Sequence, residues 1–150
     1  MNSKVLLASL KAQDANLGLL ISNLESQKNA IIHNDYKLLE KGIGEEQQIL
    51  NRIGIEEKNR IQIINDIANQ NSIALNGNSL EQLFRNPNIN FGGNLKELEK
   101  IRRALKIKVN AVVNLNTQLK AIVEYSRNFF KEILFTVAGT KKNLLVNKKV

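Results

Sequence analysis

Apolar side chains recur at alternating steps of four and three residues through most of this chain. Leu6, Leu10, Gln13, Leu17, Leu20, Leu24, Gln27 and Ile31 keep that step without a break, and six of the eight are apolar. A step averaging 3.5 residues holds one stripe of an α-helix against a neighbour, so a helix is predicted over 3–33 with Ser3 as its N-cap. His33-Asn34-Asp35 interrupts the pattern, and the Asp35 carboxylate can accept from free amides of a second helix over 36–70. That helix has a weaker stripe: Leu39, Gly42, Glu46, Ile49, Ile53, Glu56, Arg60, Ile63 and Ile67. Its ends are apolar and its middle is polar. Gly42, Gly44 and Gly54 each cost about 1 kcal/mol against alanine inside a helix, which predicts the least stable of the long helices.

Residues 71–94 form the one irregular stretch. Asn76-Gly77-Asn78 is turn chemistry. Ser79 with Gln82 reads as a capping box for a short helix from Leu80 to Arg85, which Pro87 ends and Gly92-Gly93 follow. Asn94, with Glu97 three residues on, opens the last helix. It is predicted to run to Val137, about 65 Å, with the stripe Leu98, Arg102, Leu105, Val109, Val112, Asn116, Leu119, Val123, Ser126, Phe130, Ile133 and Val137. Beside the stripe runs a column of Ile101, Leu115, Ile122 and Phe129, broken by Lys108. Three apolar columns describe a helix packed against more than one neighbour. Gly139 is placed as a C′ residue. The fold expected is all-α: an antiparallel, coiled-coil-like helical bundle of three long helices plus a short one. It occupies residues 1–140 as one domain, with a basic tail over 141–150 expected to be mobile.

Composition narrows the chemistry more than the fold. No cysteine is present, which removes disulfides, thiolate metal sites and thiol nucleophiles together and suits a reducing cytoplasm. No apolar run approaches the ~20 residues of a membrane span, and the apolar start of the chain is cut short by Lys11 and Asp14 before a signal peptide could form. His33 is the one histidine and falls at a predicted turn, so neither a histidine-based triad nor a multi-histidine zinc site can be assembled. Glu45-Glu46 and Glu56-Glu57 lie on a single helix, where carboxylates converge poorly on a cation, and read as a solvated acidic face. No phosphate-binding glycine motif occurs. These readings describe a protein that is not an enzyme and takes no cofactor, metal ion or small-molecule substrate.

Charge is uneven. Residues 1–70 hold 8 Lys+Arg against 9 Asp+Glu, and residues 71–150 hold 14 against 5. The cluster Lys96, Lys100, Arg102, Arg103, Lys106 and Lys108 could meet phosphates or an acidic protein. Glu97 and Glu99 interleave with it and no aromatic residue flanks it for base stacking, which disfavours nucleic acid. An aromatic and aliphatic stretch lies elsewhere, in Tyr125, Phe129, Phe130, Ile133, Leu134 and Phe135, and widens the last helix's stripe beyond what one neighbour covers.

The order of elements and several sparse motifs resemble the FlgN-type flagellar export chaperones. The motifs are Asn34-Asp35-Tyr36-x-x-Leu39, Glu46-x-x-Ile49-Leu50-x-x-Ile53, Glu57-x-x-Arg60, Ser79-Leu80-x-x-Leu83 and Asn110-x-x-x-Asn114-x-Asn116. The resemblance spans about residues 5–140. It departs near the end of the last helix, where Phe135 stands in place of a tyrosine shortly before Gly139. It implies a cytoplasmic chaperone of type III secretion and flagellum assembly. Such a chaperone binds hook–filament junction (hook-associated) proteins and delivers them to the export gate at the membrane. The implied cargo surface is the last helix: Leu119, Ile122, Val123, Tyr125, Phe129, Phe130 and Ile133. Within it, Phe130 continues the 109-116-123-130-137 column and is assigned mainly to packing. Phe129 continues the 101-115-122-129 column and is assigned mainly to the partner. Two other readings share the same residues: a self-associating scaffold bundle, and a nucleic-acid binder using the basic half.

Overall fold

A computed structural model describes residues 2–75, 77 and 80–138; the side chains of Phe129, Phe130, Val137 and Ala138 are outside that description. The expected cap at Ser79, the turn residues Asn76 and Asn78, the stop at Gly139 and the basic tail all lie outside the described residues. The described residues form four α-helices: α1 (Asn2–Ile32), α2 (Tyr36–Gln70), α3 (Leu80–Arg85) and α4 (Leu95–Ala138), with a 3-10 turn at Gly92–Asn94 before α4. There is no strand among the described residues. The fold is an all-α bundle, as the sequence predicts, and the bounds of α2 and α3 coincide with prediction.

Capping chemistry explains the boundary at residue 35. Asn34 adopts positive φ (54°), which breaks α1, and Asp35 Oδ1 accepts from the Leu38 amide at 3.1 Å. Ser3 does not cap α1, because the helix already begins at Asn2. Its hydroxyl instead accepts from Asn94 Nδ2 at 3.0 Å, tying the foot of α1 to the start of α4.

α1 is the central helix. α2 runs antiparallel to it, with Ser9 opposite Glu56 and Asn23 opposite Gly42. α4 runs parallel to it: Asp14 meets Lys108, and Lys28 meets Gln118. Among the described residues no Cα of α2 comes within 8 Å of one in α4. The neighbours of α4 other than α1 are α3 and the 3-10 turn. The stripe read from α1 is the buried one: Leu6, Leu10, Gln13, Leu17, Leu20, Leu24 and Gln27 all lie inside.

The core falls in two parts. At the foot, Leu6, Leu7 and Leu10 pack with Ile64, Ile67, Leu83, Phe84, Ile89, Phe91 and Leu98. Four of those ten come from residues 83–91, so the segment without helical periodicity is the plug of the bundle rather than a surface loop. Higher up, a smaller cluster joins Leu17, Leu20, Leu24, Ile49 and Leu115.

Between α1 and α2 the seam is polar, which corrects the solvated reading of the α2 acids. Glu46, Glu56 and Glu57 are half-buried, and only Glu45 of the four is exposed. Ser9 Oγ donates to Glu56 at 2.9 Å, and Gln27 Nε2 donates to Glu46 at 2.9 Å and to Asn23 Oδ1 at 2.7 Å. Asn23 Nδ2 donates to the Gly42 carbonyl at 2.9 Å. Polar groups buried in this way must keep their partners, because an orphaned one costs about 1–3 kcal/mol.

The three α2 glycines therefore have different roles. A Cβ at Gly42 would stand 2.9 Å from Gln27 Cγ, inside the seam, whereas Gly44 and Gly54 face open space. Gly44→Ala and Gly54→Ala are expected to raise stability by about 0.5–1 kcal/mol each. Gly42→Ala is expected to lower it by displacing Gln27. Urea unfolding of the three single variants checks this; a gain at Gly42 would show that the seam has slack.

Candidate partner-binding surface

α4 has 44 residues and α1 has 31. Lys28 Nζ donates to Gln118 at 2.9 Å, and α1 ends four residues later at Ile32. In a parallel pair that puts the top of α1 near residue 122 of α4. Residues 123–138 thus rise about 24 Å above the bundle. Burial follows this geometry. Among the described side chains of α4, Leu115 is the last that is buried, Leu119 and Ile122 are half-buried, and every one from Val123 to Thr136 is exposed.

The packed face of α4 is not the one the sequence suggested. Leu98 and Leu115 are buried and Ile101, Leu105, Lys108, Val112, Leu119 and Ile122 are half-buried. Together they form an unbroken four-three stripe. Val109, Asn116 and Val123, assigned to packing by the sequence, are exposed. The column that packs in their place is the one that Lys108 interrupts. Its ammonium crosses to α1, pairing with Asp14 Oδ2 at 2.9 Å and reaching the Asp14 carbonyl at 3.3 Å. A cation at a seam position thus docks α4 on α1 instead of breaking the seam. The division of Phe130 to packing and Phe129 to the partner rested on those columns and loses its basis. Both side chains lie outside the described residues.

The predicted cargo residues are split by this arrangement. Leu119 packs on the upper core cluster, and Ile122 sits at the edge. Val123, Tyr125 and Ile133 are on the projecting end, with relative exposures of 45%, 73% and 41%. Leu134 and Phe135, outside the predicted set, are also exposed there; their signal was the same aromatic and aliphatic cluster. At 100° per residue, Leu119, Ile122, Val123, Ile133 and Leu134 occupy an arc of about 120°. This arc continues the one through which Leu98, Leu105, Val112 and Leu115 meet α1. The end of α4 offers above the bundle the face that α1 covers below.

The other candidate chemistry resolves into structure. His33 is an exposed turn residue whose Nδ1 lies 2.8 Å from the Asn29 carbonyl. No group of three or more acidic or histidine side chains able to hold a metal ion exists among the described residues. The basic cluster is dispersed: Lys108 is held by Asp14, Arg103 Nε donates to the Glu99 carbonyl at 3.3 Å, and Glu97 pairs with Lys11 at 2.8 Å. No described helix is long and apolar enough to cross a membrane.

The Glu57 carboxyl is held below its ordinary range. The Arg60 guanidinium donates to both its oxygens, and that outweighs the opposing effect of partial burial. A depressed folded-state pKa gives stability that is present above the unfolded value and is lost as the pH falls through the folded one. The wild-type chain should therefore lose stability as the pH drops below the usual carboxylate range, and Glu57→Gln should lose less. Denaturant midpoints across acid pH test this; parallel curves for the two proteins would deny the pair any such role.

No curated protein and no solved structure matches the chain. The sequence profile of the family described as FlgN protein matches residues 1–145, nearly the full length. The arrangement of an all-α bundle with one overlong terminal helix is thereby joined to a family, and this chain belongs to the FlgN family.

Proposed function

We propose that the chain is a cytoplasmic chaperone for late flagellar export substrates. In this reading it binds hook–filament junction proteins before assembly and hands them to the type III export gate. One observation carries the reading: in a FlgN-family chain, the last helix projects beyond its neighbour with the packing face uncovered. The cargo surface is the arc of Leu119, Ile122, Val123 and Ile133 with Tyr125, Phe129 and Phe130. A cargo helix laid there takes the line that α1 follows lower down, and the contacts repeat those of the α1–α4 seam.

Physical chemistry makes this a reversible site. Burying several aliphatic and aromatic side chains at about 25 cal/mol per Å2 gives several kcal/mol. Ordering a flexible cargo segment and losing rigid-body freedom offset much of it. A micromolar to nanomolar Kd results, suited to cargo that must be released. Isothermal titration with a purified hook–filament junction protein is the direct test, with one binding event expected. No heat with any such protein, together with a tight homo-oligomer in light scattering, would replace this reading with the self-associating scaffold.

A further inference from the structure

Because α2 and α4 flank α1 without meeting, a groove runs between them with α1 as its floor. Its lower part encloses about 350 Å3 and is lined by Leu17, Ile53, Leu80, Leu105 and Val109, with Arg102 and Lys106 along the α4 side. One heptad further up, Leu50 follows in the column of Glu57 and Val113 in the column of Lys106. These two are 42% and 57% exposed. The apolar strip thus extends along the groove beyond the enclosed part.

Two side chains that line this groove each hold a buried polar atom without a hydrogen-bond partner: Arg102, at Nε, and Gln13, at Oε1. A buried guanidinium nitrogen without an acceptor is costly, and the acceptor that suits it best is a carboxylate. Glu57, on the opposite wall, is already engaged by Arg60, so the α4 wall keeps its positive charge.

We propose that this groove binds an amphipathic helix of a partner protein, its apolar face on Leu17, Ile53, Leu105 and Val109 and its carboxylates along the Arg102 and Lys106 edge. Such a helix would complete a four-helix arrangement by bridging α2 and α4. The chain's own tail over 141–150 does not suit the edge, because it carries four lysines and no acid. The site is separate from the end of α4 and stands whether or not cargo binds there.

The test uses the full chain and two synthetic helical peptides of about four turns. They share a leucine face and differ only in edge residues, glutamate in one and lysine in the other. Fluorescence anisotropy should show binding of the glutamate peptide that weakens with salt, with the lysine peptide at least about tenfold weaker. Arg102→Gln should weaken the glutamate peptide about tenfold. Val109→Glu should do so at least as strongly while leaving the melting temperature unchanged, since Val109 is 48% exposed. Ile55→Asp, 63% exposed on α2 and outside the groove lining, should have no effect. Equal binding of the two peptides, indifference to Val109→Glu, or loss with Ile55→Asp would each overturn the proposal. So would a dimer of the chain alone that Val109→Glu dissolves, which would make the occupant a second copy.

Discussion

Phe91→Ala is expected to lower the free energy of unfolding by about 3–5 kcal/mol, the usual cost of truncating a buried aromatic side chain. Phe91 lies outside every helix, in a stretch where no periodicity marks an inward position. Yet it is only 5% exposed and stands edge-on to Phe84, with ring centroids 5.4 Å apart and planes at 90°. Around the two rings are Leu6, Leu10, Ile64, Ile67, Leu83 and Leu98, drawn from α1, α2, α3 and α4. The ring thus lies where the chain's segments converge. Its loss leaves a cavity that rigid helices on several sides cannot collapse into. Edge-to-face pairing adds a coupling of about 0.5–1.5 kcal/mol with Phe84, measurable by a double-mutant cycle. Denaturant unfolding of Phe91→Ala beside Leu115→Ala, in the smaller upper cluster, is the comparison to make. A loss under about 1 kcal/mol at Phe91 would return residues 71–94 to the status of a surface loop.

The same residues show what a single sequence exposes and what it hides. Helix ends marked by local chemistry were readable: Asp35 caps α2, and Pro87 confines α3. The α1 stripe was readable because all its contacts lie on one face and its polar members, Gln13 and Gln27, still keep the step. Ile89 and Phe91 were not, because tertiary position rather than period puts them inside. Lys108 misled for a related reason. Within one helix it breaks an apolar column, and the Asp14 that makes it part of the seam lies on another helix, 94 positions away. The α2 acids misled in the same way, since Ser9 and Gln27 come from α1. For the proposed partner surface, the surplus of apolar residues in α4 was legible. Which of them project was not, because that depends on the register of α4 against α1, set by pairs such as Lys28 with Gln118.

That register leads to the strongest expected effect on binding. Replacing Val123 and Ile133 together by Asp should weaken the complex with a hook–filament junction protein by at least about a hundredfold. Each substitution removes an apolar anchor and obliges the complex to desolvate a carboxylate with no partner, and truncating such anchors alone often costs 2 kcal/mol or more. The free chain should scarcely notice. Both positions are exposed, and the intrinsic cost of Asp in an exposed helix is about 0.5 kcal/mol each. Leu119→Ala is the contrasting variant. Leu119 packs against the cluster of Leu17, Leu20, Leu24, Ile49 and Leu115, so its truncation should lower the melting temperature while removing only one edge of the cargo surface. Melting curves and titration of the two variants separate the roles of the two parts of α4. If the double Asp variant unfolds early, the end of α4 is packed on something that stabilises the free chain. If it folds and binds at full affinity, the cargo lies elsewhere on the molecule, and the projecting arc is not the chaperone surface.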